Sequence, residues 1–459
     1  MISSMTESWE ELKERAYGPM DKQKSKWFNY KMLLLTGGGI FVDGYNIVII
    51  SFGLAGIETL FGLQHNAFLV GLIGISVIIG NLVGALLSGY FVDKVGRRTI
   101  FIIDLILFVF FAIISGLVTN AYELVVARLL VGLGIGLDYP IATSYLSEYT
   151  PINPRGKFLV MNITFFNIAG VVAAIVGYSL LPLGATIAWR YMLMSAAVPA
   201  AITIAGRIRT PESPRWLLEH GRKKEAIQAI ERVTESTLPD DTQKFIMDSN
   251  VKPPVSGYYK ELLTKYTKSA IFIGLFYFFF AIAFVNASLY GPSILASFGE
   301  AGLIGSSLYW LLFVVGDIIC ILVIDSFGRR NSTLTGWAGM LITMIILAFA
   351  PSNLKLLSLG AFILFAMFQG IGPGSLHMVY SPELFPTRIR ATAEGWKQGI
   401  GRLGGVLTGL FFPSLVIGDK LLILILTSIA GLVLSILMAP ETKRKGLEEI
   451  SEKDINLQI

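Results

Sequence analysis

Twelve times along the chain an apolar run reaches the length needed to cross a lipid bilayer. A hydrocarbon core about 30 Å thick takes roughly 20 apolar residues in a helix. Runs that meet this occupy approximately 31–55, 68–91, 99–119, 122–146, 157–182, 188–206, 269–292, 304–325, 331–350, 356–381, 392–416 and 421–439. Inside hydrocarbon every backbone amide must be satisfied within its own helix or in a closed barrel. Runs of this length therefore specify an all-α protein of twelve transmembrane helices. Only 15% of the 459 residues are charged and the mean hydropathy is +0.66, against about 25% charged residues in soluble chains.

Composition excludes several function classes. The formal charge of +5 comes from short basic clusters between apolar runs, not from one face, so nucleic acid is not an expected partner. The single cysteine, Cys320, lies inside an apolar run and excludes disulfides and cysteine-based metal sites. His65, His220 and His377 are too scattered to form a metal-ligand cluster, and no P-loop supports ATP hydrolysis. No cofactor is expected. Residues 1–26 lack a short apolar core followed by a small-residue cleavage site, so the first run is expected to be a retained span.

Lysine and arginine bias sets an expected orientation. The leading segment carries Lys13, Arg15, Lys22, Lys24 and Lys26. Alternate loops carry Lys94, Arg97 and Arg98; Arg155 and Lys157; Arg329 and Arg330; Arg388 and Arg390; then Lys443, Arg444 and Lys445. Arg190 and Lys420 are exceptions. Both termini are expected to be cytoplasmic, in a plasma-membrane protein. The expected division is a cytoplasmic segment 1–30, a six-helix bundle 31–206, a linker 207–268, a second bundle 269–440 and a tail 441–459. The linker is too short for a catalytic domain with its own core. It holds an amphipathic stretch at Lys224–Val233, read as part of a set of short helices.

The two halves repeat. Asp93-Lys-Val-Gly-Arg97-Arg98 returns as Asp325-Ser-Phe-Gly-Arg329-Arg330. Glu148 with Arg155 returns as Glu383 with Arg390, and Pro211-Glu212 returns as Pro440-Glu441. All three motifs recur at nearly the same offset along the chain, which chance rarely gives. Two homologous six-span halves about an axis along the membrane normal are a secondary-transporter pattern.

At these motifs the chain resembles the major facilitator superfamily, and more narrowly its sugar-porter-like branch. The residues that carry the resemblance are Gly89 to Arg98 and the copy ending at Arg330, Pro211 to Leu217, and Pro440 to Glu449. The resemblance covers essentially the whole chain and implies two pseudo-symmetric six-helix bundles rocking about a central cavity. Gly136-Leu-Asp138-Tyr139-Pro140 with Glu148 is similar to the fourth-span signature of phosphate:proton symporters. Asp43-Gly44-Tyr45 is similar to a first-span motif of those and of organic-acid:proton symporters. The chain departs from the phosphate pattern at Ala281 and Asn46, and from the sugar pattern at Tyr277–Phe280, where paired glutamines are absent. A sugar-like segment remains at Asn286–Ser293. The resemblance further implies that Asp93, Arg97, Arg98, Asp325, Arg329 and Arg330, with Glu148, Arg155, Glu383 and Arg390, latch the bundles together on the cytoplasmic side. As positive loops they also set topology.

Ionisable residues inside spans mark pathways by default. Asp138 is the first candidate for proton carrier and Asp43 the second, because a desolvated carboxyl can bind and release a proton as its exposure alternates. The bland alternative is a neutral or ion-paired packing residue. Arg402, near the middle of the eleventh span, suggests a substrate with negative charge held by forked donors; a structural pair with Asp317 is the alternative. Lys397 lies about 140° away around that helix and need not face the same cavity. Tyr139, Asn167, Tyr277, Asn286 and Gln369 complete the candidate cavity lining, although an interhelical hydrogen bond is the commoner role of such residues. Arg128 is read as a gate or as a partner of Asp43. His377 is placed near the cytoplasmic end and is a poor ligand. Gly399-Ile-Gly401-Arg-Leu-Gly404 matches a dinucleotide fingerprint but lies inside a span, where it means helix packing.

The expected function is proton-coupled symport of a small polar metabolite by a monomer embedded in lipid, with an organic or inorganic anion slightly favoured over a sugar. An uncoupled uniporter and a non-transporting sensor are the rival readings. No nucleophile–base pair supports an enzyme.

Overall fold

The computed structural model describes residues 15–16, 27–95, 97–150, 155–208, 210, 212–249, 258–298, 302–351, 354–385 and 387–443. Within these, it describes backbone alone at 89–95, 139–140, 143–144, 147–149, 155, 215, 219, 258, 302–303, 387–388 and 391. Twelve long rods follow in order: Trp27–Phe61, Ala67–Val95, Arg97–Leu117, Ala121–Tyr149, Arg155–Leu180, Ala185–Arg207, Thr267–Ala296, Gly302–Phe327, Arg329–Phe349, Lys355–Leu384, Thr387–Phe411 and Ile417–Met438. They match the twelve apolar runs one for one, and the described residues contain no strand. Ten are long and apolar enough to cross a membrane by length and composition, among the described residues.

Two rods are interrupted, each for a local reason. The sixth breaks between Ala185–Ser195 and Ala197–Arg207, where Pro199 has no amide to offer the carbonyl four residues back. The tenth breaks between Lys355–Ile371 and Pro373–Leu384 at Gly372, whose φ and ψ of −119° and −110° lie outside the helical region. A proline disfavours helical conformation in the residue before it. Both breaks fall inside protein, where neighbouring helices cover freed backbone groups.

Within the first half, span two packs along span four and span one along span five; in the second half, span eight packs along ten and seven along eleven. The halves meet where span two touches eleven and span five touches eight. Missing side chains set the closest approaches. A Cβ on Gly84 would lie 2.3 Å from the Leu133 carbonyl oxygen, and one on Gly316 would lie 2.1 Å from that of Met367. The step from Gly84 to Gly316 equals the step from Asp93 to Asp325, so the duplication extends from motifs to helix contacts. The Gly401 and Gly404 positions press on the Tyr277 ring and the Phe278 carbonyl, as helix packing requires. Between the halves the chain forms the short helices Pro214–Glu219, Lys223–Thr234, Asp240–Asp248 and Tyr258–Lys265. The second of these buries Ala226, Ile227, Ala229, Ile230 and Val233 on one face.

Candidate functional site

Asp138 does not stand alone. The guanidinium of Arg207, from the end of the sixth span, donates to both of its carboxylate oxygens at 2.9 and 3.0 Å. Arg207 is fully buried; it also donates to the Leu35 and Phe101 carbonyls at 3.2 and 3.0 Å and lies 3.3 Å above the Phe101 ring. Asp104 of the third span approaches the same guanidinium at 3.7 Å. The pair fits because residue 39 on the first span is glycine: a Cβ there would fall 1.9 Å from Arg207 Nη2 and 2.0 Å from Asp138 Oδ2.

One turn along from Gly39, Asp43 is 2% exposed, and its Oδ2 makes no hydrogen bond. Arg128 does not serve as its partner by hydrogen bond. Its Nη1 donates instead to the Asn46 side-chain oxygen at 2.6 Å, so the amide that replaces a second acid in the first-span motif is what receives the arginine.

Between the halves lies a cavity of about 20 Å³, room for roughly one water. Ile163, Phe166 and Asn167 line it from the first half; Tyr277, Phe280, Phe284, Phe313, Gly374, His377 and Arg402 line it from the second. Its walls are mostly rings: Tyr277 stacks on His377 at 4.7 Å and Phe280 on Phe284 at 5.4 Å. Arg402 lies 5.9 Å from the Tyr277 centroid. The structure corrects the placement of His377, which lines this cavity instead of sitting near an end, because the tenth span restarts at Pro373 and carries it inward.

The other candidates divide. Asn167 lines the cavity while donating to Asp317 Oδ2 at 2.7 Å, and Asp317 also accepts from Ser375 at 3.0 Å. Gln369 donates to the Tyr309 hydroxyl at 2.8 Å, and Asn286 to Thr408 and the Ile282 carbonyl at 2.7 and 2.8 Å. Neither of these two lines the cavity in this arrangement; each amide nitrogen makes an interhelical hydrogen bond, while Asn286 Oδ1 and Gln369 Oε1 are buried without one. Lys397 is fully buried and pairs with Glu394 at 2.6 Å. It does not line the cavity, as its rotation from Arg402 allows. The side chain of Tyr139 lies outside the described residues. A larger groove of about 790 Å³ lies along the third and fourth spans, lined mainly by apolar residues such as Phe111, Leu117, Val126 and Leu130, with Asn120 and Glu123 among its lining.

Comparison with known proteins decides the class. The family described as sugar (and other) transporter matches residues 31–453. The putative metabolite transport protein YaaU of Escherichia coli is 31% identical over 447 residues, 95% of this chain and 98% of that one. This chain belongs to the sugar (and other) transporter family. The glucose transporter GlcP of Staphylococcus epidermidis is 30% identical, with 92% and 96% of the two chains covered. In fold, the chain superimposes on the proton:xylose symporter XylE, described as a major facilitator superfamily protein, with a TM-score of 0.78 at 22% identity, covering 93% of this chain and 99% of that one. The protein is thus an integral, multi-pass transporter of the sugar (and other) transporter family, with the fold of that symporter, and not an enzyme.

In the transporter, the repeated motifs build two matching corners at the end that carries the linker. Arg98 N donates to Glu212 at 3.1 Å and its Nη2 to the Ile208 carbonyl at 2.8 Å; Arg330 N donates to Glu441 at 3.1 Å and its Nη2 to the Ile436 carbonyl at 2.9 Å. Arg329 adds an ion pair to Glu383 at 2.9 Å and one to Asp325 at 3.2 Å, and Thr442 donates to Glu383. Among the described residues, the ion pair that joins the halves across this end is Lys157 to Asp325 at 3.5 Å. Arg390, buried, donates to the Phe385 carbonyl at 3.5 Å, and Arg97 is half-buried. The side chains of Asp93, Glu148 and Arg155 lie outside the described residues. The partners in the Lys157–Asp325 pair are 44% and 43% exposed, so its strength is that of a surface pair, about 0–1 kcal/mol. Lys157→Ala is therefore expected to shift the balance toward opening at this end by no more than about fivefold. Labelling of a cysteine introduced behind the pair checks this against a quiet background, since Cys320 is buried; a shift of a hundredfold would contradict it.

Reading the sequence missed Arg207 and Asp104. Arg207 falls one residue past the sixth apolar run and reads as the first residue of the linker. Asp104 had a signal, a carboxylate inside the third run, which by itself marks a pathway candidate.

Proposed function

We propose that this transporter imports a small organic anion together with protons by alternating access, as a monomer in the plasma membrane with both termini cytoplasmic. The observation that supports this reading best is Arg402, a guanidinium buried in a ring-lined cavity between the two halves. A fork of donors matches a carboxylate, and aromatic walls suit an organic body better than a bare inorganic ion.

Coupling follows from electrostatics. Asp43 and Arg402 are both buried, each 2% exposed, and charges in a dry interior act on one another strongly, so an ionised Asp43 and an incoming anion compete for the same cation. Protonation of Asp43 removes the competitor, and solute and proton then bind together. When the cavity opens to the cytoplasm and Asp43 releases its proton, the restored carboxylate weakens the hold on the solute. The cavity in the closed arrangement is too small for any metabolite, so the rings of the two halves must part to admit one. The Lys157–Asp325 pair, which crosses between the halves, is the element that yields when the cytoplasmic side opens. Asp138, held by two hydrogen bonds from Arg207, is the less mobile proton carrier of the two acids.

Asp43→Asn is expected to abolish uphill uptake in proteoliposomes and leave exchange of labelled for unlabelled solute running. Uphill uptake at the wild-type rate in that variant would sink the coupling role of Asp43. Sugar import is the second reading, favoured by the chain's similarity to a glucose transporter and a proton:xylose symporter. A thermal-shift panel of carboxylates, phosphate and sugars separates the two, because a ligand at 100 times its Kd stabilises the native state by about 2.7 kcal/mol. A uniporter would show no solute-driven alkalinisation of the medium.

A further inference from the structure

Two buried carboxyls address one guanidinium in the first bundle. Asp104 and Asp138 are each 1% exposed and Arg207 is fully buried. Asp138 takes both forked donors of Arg207. Asp104 is left with one hydrogen bond, from its neighbour's amide Leu105 N to Oδ1 at 2.7 Å, and its Oδ2 makes none. The two carboxyls nonetheless meet at one atom, Arg207 Nη1, which lies 2.9 Å from Asp138 Oδ1 and 3.7 Å from Asp104 Oδ2. Ionised carboxylates only accept hydrogen bonds, and two of them at contact cannot both stay ionised; a proton between them turns repulsion into a bond. The charge count agrees. Arg128, on the fourth span with Asp138, is turned to Asn46. Among the described residues, Arg207 is thus the cation that faces two acids, and an uncompensated buried charge costs several kcal/mol.

We propose that Asp104 and Asp138 share one proton, clamped against Arg207, and that this pair stands in series with Asp43. Gly39 supplies the connection. It lies four residues before Asp43 and so shares its helix face, and its missing side chain opens the first span directly onto Arg207 Nη2 and Asp138 Oδ2. The groups that converge there are Asp104 from the third span, Asp138 from the fourth and Arg207 from the sixth, with Asp43 one turn along the first span from Gly39. The series arrangement rests on the reading of Asp43 as coupling acid; the shared proton does not.

Infrared difference spectra of the full-length protein in lipid bilayers, wild type against Asp104→Asn, Asp138→Asn and Asp43→Asn, test the site. Asp104→Asn and Asp138→Asn are each expected to remove the same carbonyl band of a protonated carboxyl, because either change leaves one ionised acid opposite Arg207. Asp43→Asn is expected to spare that band. A featureless difference for Asp104→Asn, or different bands lost in the two variants, overturns the shared proton. Solute-driven alkalinisation by proteoliposomes, normalised to counterflow, tests the series. Its loss in Asp104→Asn, with Asp43 intact, is the expected result; undiminished alkalinisation removes the pair from the proton's route. Alkalinisation persisting in Asp43→Asn defeats the coupling reading instead, and the infrared result still decides the shared proton.

Discussion

Gly39→Ala is expected to destabilise this transporter by about 3–5 kcal/mol, the cost of breaking a buried ion pair. The added methyl would stand 1.9 Å from Arg207 Nη2 and 2.0 Å from Asp138 Oδ2, well inside contact distance. A flexible arginine on a surface would step aside. This one is fixed by two backbone carbonyls, the Asp138 fork and the Phe101 ring, so relief requires giving up the pair. Arg207 would then be a buried cation without its carboxylate, and Asp138 a buried carboxylate without its cation. Gly399→Ala is the matched control: Gly399 is also buried within a helix, but its Cβ would meet only Leu86, at an ordinary contact distance of 3.4 Å, and Gly to Ala inside a helix usually gains about 0.5–1 kcal/mol. Thermal unfolding of both variants in detergent measures the difference. Equal melting temperatures for the two would mean that the Arg207–Asp138 pair is not packed against the first span.

The second large effect concerns affinity. Arg402→Ala is expected to weaken anion binding by about 2–5 kcal/mol, the range for removing one partner of a buried charged contact. At about 1.4 kcal/mol per decade, that is between tens- and thousands-fold in Kd. Arg402→Lys keeps the charge but loses the planar fork and is expected to fall between the two. Lys397→Ala should behave otherwise. Lys397 already neutralises Glu394 at 2.6 Å inside the bundle, so its removal strands a buried carboxylate and lowers stability with little change in Kd. Titration by isothermal calorimetry, with unfolding measured alongside, separates the two outcomes. An Arg402→Ala protein that binds carboxylates as tightly as wild type would eliminate the anion reading, and retained sugar binding would establish the rival one.

These two residues also mark how far the chain could be read before its fold was known. Arg402 announces itself, because a cation in the middle of an apolar run has few explanations. That it lines the cavity while Lys397 does not was foreshadowed by the helical rotation between them, but the identity of Lys397's partner was not. Gly39 gives no such signal: three glycines in a row, Gly37 to Gly39, look alike in sequence. Only the third lies against a buried ion pair, and only the arrival of the sixth span's end beside the first, third and fourth makes it matter. Asn286 and Gln369 show the same gap from the other side. Residue type and span mark them as candidate solute ligands; only the structure places the Asn286 amide nitrogen on Thr408 and Ile282 and that of Gln369 on Tyr309, with both amide oxygens left over.

The order of amino acids by itself determined the number and place of the spans, the duplication of one half from the other, and the positions where charge enters hydrocarbon. Each of these is local: burial in lipid depends on the polarity of a single run, and a repeat survives as matching motifs. The tertiary structure alone decided which buried charges neutralise one another, which polar groups face the cavity and where the tenth span turns inward. Those depend on the rotation of each helix about its axis and on its neighbours, and both are set by packing between residues far apart in the chain.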